Sequence, residues 1–299
     1  MTTQTSENLN LPNGKLAMWL FLATEVMFFT GLLATCMLLR EAAPVPGPGL
    51  SPWPAHETVH VQPWLGAINT VLLICSSLCV LLSHRALLAN QAGKARRWLG
   101  LTLLLGAAFL GVKGFEYAGK FQLGLLPGKI GESVNGLSPQ REKLLQENGL
   151  SYVRDVQERL RALTATVKPE DLKTPPKEIQ AAHALLQLTL DGKDEKNSYL
   201  RPLTPGQLGD QVNRLNGEFP SLHLPPAIPN GNLWASCYFV TTGIHAIHVF
   251  AGLVVLLVLF LFSLGRDSPR LAGRLEVAGL YWHFVDLVWL ILYPIIYIL

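Results

Sequence analysis

Five of the ionisable side chains in this sequence interrupt long apolar runs, and their spacing limits the chemistry they can do. Glu25 stands nine residues into a run that begins at Leu16, about 14 Å along a helix. His245 and His248 share one apolar stretch and His283 and Asp286 another, each pair at i, i+3, which places both members on one helix face. A charged group in hydrocarbon costs a few kcal/mol, so each of these residues is a functional hypothesis. Imidazoles are common metal ligands, and three of them on two helices could grip a haem from both sides. Carboxylates and histidines could equally relay protons, line an interhelical cleft for a lipid, or hydrogen-bond one helix to the next. The face of His245 and His248 continues through Tyr238, Thr241, Thr242 and Gly252, and that of His283 and Asp286 through Gly279, Leu290, Tyr293 and Tyr297. A polar network between these two helices is expected. Lys113 and Glu116 make a further i, i+3 pair, and Glu276 suits the positive end of a helix that begins with it.

The elements that must carry these groups are membrane helices. Of 299 residues, 49% are hydrophobic and only 15% charged, against about 25% charged in soluble domains. A net charge of +3, with no concentrated basic face, argues against nucleic acid as a partner. A spanning helix needs about 20 apolar residues. Five stretches qualify, at about 16–39, 64–83, 98–117, 234–262 and 276–299, and none alternates with the period of a strand. The first of them, with a glutamate at its middle, is expected to be an uncleaved anchor rather than a signal peptide. The chain thus reads as all-α and integral to the membrane: residues 1–117 with three spanning helices, 118–231 outside the bilayer, and 232–299 with two more.

Orientation follows from Lys and Arg in the short loops. Arg85, Lys94, Arg96 and Arg97 crowd the second loop and Arg266, Arg270 and Arg274 the fourth, whereas Glu41–Pro63 has none. The N-terminus is therefore expected inside, with the 118–231 segment and the C-terminus outside. Cys36, Cys75, Cys79 and Cys237 all fall within expected membrane helices, where a thiol behaves as a small hydrophobe.

The outer segment is polar, with 14 basic and 13 acidic residues. Ser138-Pro139 reads as an N-cap followed by a first-turn proline. A helical stripe follows through Leu145, Val153, Val156, Leu160, Leu163 and Val167, with a break near Gly149. A second helix is expected over 177–190, after Pro175-Pro176, and a third from Thr204-Pro205, where Thr204 and Gln207 have capping-box spacing. The segment is either a helical cap packed on itself or a docking surface for another subunit. It has no phosphate loop and no metal-ligand spacing.

Five stretches occur in the order of one known family: KLAMWLFLATEVMFFTG (15–31), NTVLLICSS (69–77), RRWLGLTLLLGAAFLGVKGFEY (96–117), YFVTTGIHAIHVFAG (238–252) and EVAGLYWHFVDLVW (276–289). Together they resemble subunit III of the haem–copper oxidases, in its five-helix bacterial form with a long outer insertion. The family's seven-helix form has two further helices, which make one arm of a lipid-filled cleft. The resemblance implies a redox-silent partner of catalytic subunit I that binds no haem or copper itself, holds phospholipid, and supports oxygen and proton access. It implies subunits I and II as partners, with haem and copper in them, and cytochrome c or quinol as the electron donor of the complex. By match, Glu25 is the carboxylate facing the cleft and Glu116 the acidic residue of the F-E-Y stretch. His245 and His248 form the G-x-H-x-x-H pair, and Trp282, His283 and Asp286 belong to the W-H-F-V-D stretch. No residue of this chain is expected to be catalytic or to bind a metal.

The expected function is thus a non-catalytic subunit of a proton-translocating terminal oxidase in the aerobic respiratory chain of a bacterial inner membrane. A quinol-oxidase subunit III and a nitric-oxide-reductase accessory subunit are alternatives within the family. A proton channel or transporter using Glu25, Asp286 and the histidines is the alternative from another class, though the broken-helix pattern of transporters is missing.

Overall fold

The computed structural model describes residues 13–43, 53–131, 139–165, 176–189, 192–193, 199–200, 203, 205–262 and 269–298. Within them lie eight helices: α1 (Asn13–Glu41), α2 (Pro63–Leu88), α3 (Ala92–Gln122), α4 (Pro139–Ala165), α5 (Lys177–Thr189), α6 (Pro205–Glu218), α7 (Gly231–Phe262) and α8 (Pro269–Tyr297). Five of them, α1, α2, α3, α7 and α8, are long and apolar enough to cross a membrane. Helices are the form such runs must take, because only an i→i−4 ladder satisfies every backbone polar group where water is absent. Each begins or ends a few residues beyond its apolar run, since the ladder continues into the headgroup region after hydrophobicity stops. This displaces Glu276. It lies two turns inside α8, away from the helix start, and pairs with Lys15 Nζ at 2.6 Å instead of serving the helix dipole.

The chain divides into two compact units. The first comprises 1–35, 63–114 and 241–299. Its core is the α2–α8 pair. Gly66 lies under Tyr293 and Tyr297, Thr70 receives Trp289, Ser76 receives Trp282 and Ser77 meets His283, so the register runs antiparallel. Small residues on α2 let the large aromatics of α8 close in, which is how helices pack when lipid supplies no hydrophobic drive between them. The tight link between α2 and α3 turns on Asn90 at φ 56°, and Ser83 Oγ donates to Ala95 O at 2.8 Å across it.

The second unit comprises 36–62 and 115–240. Here α4, α5 and α6 bury Tyr152, Val156, Leu160, Ala182, Leu185, Leu186, Leu208 and Val212 against one another and against Leu222 and Leu224. Helix α4 runs unbroken through Gly149, contrary to the expected break; an internal glycine costs about 1 kcal/mol, less than the buried stripe beyond it supplies. Asn213 grips both backbone polar groups of Ala227, and Asn216 those of Leu224, pinning the return strand to α6. A two-residue antiparallel ladder pairs Gly192–Lys193 with Tyr199–Leu200. The expected caps Ser138 and Thr204, the Pro175 turn residue, Val167 and Arg266 lie outside the described residues.

Candidate functional site: polar groups inside the helix bundle

Glu25 on α1 meets His248 on α7, with Oε2 and Nε2 3.1 Å apart and both side chains about four-fifths buried. The other ring nitrogen, Nδ1, lies 2.9 Å from Ile244 O. A carbonyl only accepts, so Nδ1 carries a proton and donates. One further proton must then sit between Nε2 and Oε2: either imidazolium faces carboxylate, or neutral imidazole accepts from a protonated carboxyl. Both states sum to zero charge, which is what a low-dielectric interior tolerates. Phe29 closes the histidine edge-on at 5.2 Å, and Tyr281 Oη donates to His248 O at 3.1 Å.

The expected pairs do not bond to one another. His283 Nδ1 turns to Ser77 of α2, and Trp282 Nε1 donates to Ser76 Oγ at 3.0 Å. The network therefore reaches from α8 to α2 and from α7 to α1, beside the α7–α8 link made by Tyr281 Oη and His248 O. Trp282 is fully buried between two glycines; a Cβ on Gly106 would stand 2.9 Å from its ring and one on Gly252 2.8 Å. His245 is 1% exposed, its ring 5.7 Å from Phe109 and 5.2 Å from Trp289, and neither nitrogen has a hydrogen-bond partner among the described residues. Asp286 and Asn69 are likewise buried with no hydrogen-bond partner for their side chains among the described residues. Lys113, 3% exposed, donates to Tyr297 Oη at 2.7 Å and sits over the rings of Trp289 and Tyr297 at 5.5 and 5.4 Å.

In the second unit, Glu116 accepts from Tyr238 Oη at 2.7 Å and faces Lys120 at 3.8 Å. Lys120 is 2% exposed, donates to Val59 O and His60 O at 3.3 Å, and stands over Tyr238 at 4.8 Å and Trp234 at 5.5 Å. This buried lysine escaped the sequence reading. Its i, i+4 spacing from Glu116 was the available signal. Outside the spanning helices, burial and the nearby Asp210 push the Tyr152 phenol up from its ordinary value, and its Oη donates to Pro225 O at 3.0 Å.

A cleft of about 770 Å³ opens between α1, α7 and α8. Met18, Phe21, Val255, Leu259 and Tyr281 line it, and Lys15 and Arg274 stand at one end. Glu25 is not part of its wall. Among the described residues no group of three or more His, Cys, Asp or Glu side chains is placed to hold a metal ion. The arrangement can hold helices together, retain one proton between Glu25 and His248, and accommodate an amphiphile.

The model of the family described as Cytochrome c oxidase subunit III matches residues 2–124 and 225–299, about two-thirds of the chain, and passes over the segment that carries α4, α5 and α6. The chain is similar to cytochrome c oxidase subunit 3 of Synechocystis sp., 23% identical over 282 residues that cover 94% of this chain and 73% of that protein. To the same subunit of Thermostichus vulcanus it is 22% identical over 286 residues, 95% of this chain and 86% of the relative. Against Bacillus subtilis the identity is 36% over 105 residues, 35% of this chain and 47% of that protein.

Proposed function

The chain belongs to the cytochrome c oxidase subunit III family, and we propose that it is the redox-silent member of its complex, packed on the catalytic subunit and keeping that subunit durable during turnover. Family membership makes it a multi-pass component of a respiratory oxidoreductase. The observation that carries the redox-silent reading is where the chemistry-bearing groups point. His248 is committed to Glu25 and Ile244, and His283 to Ser77. His245 is walled in by Phe109 and Trp289, so among the described residues each of these three imidazoles is turned to other groups of the chain. Haem and copper belong to subunits I and II in this reading, with cytochrome c as donor, as the relatives' name suggests.

The cleft between α1, α7 and α8 supports a phospholipid there: an apolar wall takes acyl chains, and Lys15 with Arg274 at its end favours an anionic headgroup. With loops rich in Lys and Arg inside, that end faces the cytoplasm of a bacterial inner membrane, while residues 118–231 and the C-terminus lie outside. The Glu25–His248 pair serves this reading as a neutral interhelical bond that also holds a transferable proton.

The test is recovery of the assembly through this chain. Affinity-tagged and extracted in mild detergent, it should bring with it a subunit carrying haem and copper and a second subunit with a copper-binding domain, and the preparation should oxidise cytochrome c. Recovery of the chain alone, with its own haem absorption band, would overturn the proposal.

A further inference from the structure

A second cavity, of about 460 Å³, lies wholly within the second unit. Phe121, Gln122 and Gly124 line it from the end of α3, Arg159 from α4, and His223 and Pro225 from the segment that returns toward α7. Arg159 and His223 belong to the stretch that the family model passes over, whereas residues 121–124 and 225 fall inside it. The cavity is therefore built where the insertion meets a helix that the family shares.

Its lining suits an anion with an apolar flank. Among the described residues no carboxylate lines it, and Arg159 is its permanent cation. Guanidinium Nη2 donates to Leu222 O at 3.4 Å, which anchors the head, and the remaining donors of the fork can take a second acceptor. His223 adds another donor. Its φ of 46° is left-handed, a strained conformation of the kind that collects at ligand clamps. It is held there because Leu222 and Leu224 on either side are buried and Asn216 grips both backbone polar groups of Leu224, so the imidazole between them is exposed. The carbonyls at the end of α3, which would repel an anion, are occupied. Leu125 N donates to Lys120 O at 3.0 Å, and Gly124 N, at φ 68°, to Phe121 O at 3.2 Å.

Depth is the second observation. The 31 residues of α3 measure about 46 Å, so a centred helix overhangs a hydrocarbon layer of about 30 Å by about 8 Å at each face. Phe121 and Gln122 are the last two residues of α3, which puts the cavity at the level of the headgroups, a layer about 5–7 Å deep. The exposed Phe121 ring beside it is of the type that settles at this interface.

We propose that this cavity binds the phosphate of an anionic phospholipid from the leaflet at the C-terminal end of α3. Arg159 takes phosphate oxygens, His223 and the Gln122 amide donate to the same headgroup, and Phe121 and Pro225 meet the glycerol and the first methylenes. The apolar flank and the headgroup depth favour a lipid over soluble phosphate. A lipid held there ties the insertion, through α4, to the membrane surface around α3. The site shares no residue with the cleft between α1, α7 and α8, and it stands whichever way the chain is oriented.

The test is photochemical labelling of the intact complex in phosphatidylcholine nanodiscs. These are doped with phosphatidylglycerol or phosphatidylcholine carrying a diazirine near the glycerol, and the labelled peptides are located by mass spectrometry. Peptides with residues 121–124 or 223–225 should label about fivefold more with phosphatidylglycerol, the worth of one basic residue near an anionic surface. Arg159→Gln should abolish that preference, Arg159→Lys should keep it, and His223→Asn, which suits a left-handed backbone, should reduce it. Labelling of the peptide with Arg274 is the internal reference and should not change in any variant. Where Arg159→Gln also speeds protease cleavage within residues 118–231, His223→Asn with wild-type cleavage carries the test. Equal labelling by the two lipids, none by either, or a preference undiminished in both Arg159→Gln and His223→Asn would overturn the proposal. Labelling suppressed by sodium phosphate, but not by sodium chloride of equal ionic strength, would assign the site to free phosphate and overturn the lipid.

Discussion

Gly252→Ala tests whether Trp282 is the member that sets the spacing of the first unit. The added Cβ would stand 2.8 Å from Cε3 and 3.0 Å from Cζ3 of the indole, and 3.2 Å from Tyr281 Cε1, where carbon pairs prefer about 3.5–4.0 Å. The ring cannot retreat. On its far side a Cβ at Gly106 would lie 2.9 Å from Cη2, so that side is already in contact, and Nε1 is tied to Ser76. Overpacking of this kind costs about 1–3 kcal/mol, and the missing escape route puts it in the upper half. Alanine returns up to about 1 kcal/mol as the better helix former. The net loss is about 1–2 kcal/mol, or a 5- to 30-fold fall in the ratio of intact to disrupted bundle. The assay is the fraction of this subunit retained by the oxidase after graded heating in mild detergent. Trp282→Phe in the same chain makes room, so the double variant should lose less than the two single losses combined. Wild-type retention for Gly252→Ala, or strict additivity in the double variant, would refute the wedged-ring account.

Glu25→Gln keeps a donor for His248 Nε2, whereas Glu25→Ala leaves it unpaired. Membrane interhelical hydrogen bonds average about 0.6 kcal/mol and reach about 1.7, so the alanine variant should lose about three- to eighteenfold in subunit retention and the glutamine variant less than about twofold. Equal losses would show that the pair does not join α1 to α7. Tyr152→Phe should destabilise the α4–α5–α6 cap by about 1 kcal/mol, read by protease cleavage within residues 118–231 in the intact complex. The Tyr152 phenol is held above its ordinary value of about 10, so its contribution is complete below pH 10 and is lost as pH rises through the folded value. Cleavage of the wild-type cap should accelerate above about pH 10 more steeply than that of the phenylalanine variant. Parallel profiles would contradict the burial of that hydroxyl.

The spanning helices were legible because lipid permits no alternative: a run of about 20 apolar residues dictates both helix and length. Their polar ends were less so. Hydropathy stops where the bilayer does, and α8 continues to Pro269 through Arg270 and Arg274. Residue spacing placed His245 with His248 and His283 with Asp286 on shared faces, but it says nothing of how a helix is rotated toward its neighbours. The partners Glu25, Ser76 and Ser77 lie 206 to 223 positions away, and their identity depends on that rotation. The α2–α8 register was set by small residues, Gly66, Thr70 and Ser76, which look unremarkable in a sequence until the aromatics they admit are known. In the 118–231 segment the stripe through Val156 and Leu160 announced α4. Tyr152 took the position that seals the cap because its ring is apolar while its hydroxyl can reach Pro225 O.

The central claim is that this chain supports a redox centre without holding any of it. Stripping the subunit from purified oxidase and measuring haem and copper per catalytic subunit tests this most directly. Both ratios should be unchanged, with initial turnover preserved and its decay during sustained turnover quickened. Loss of haem or copper in proportion to the chain removed would contradict the claim.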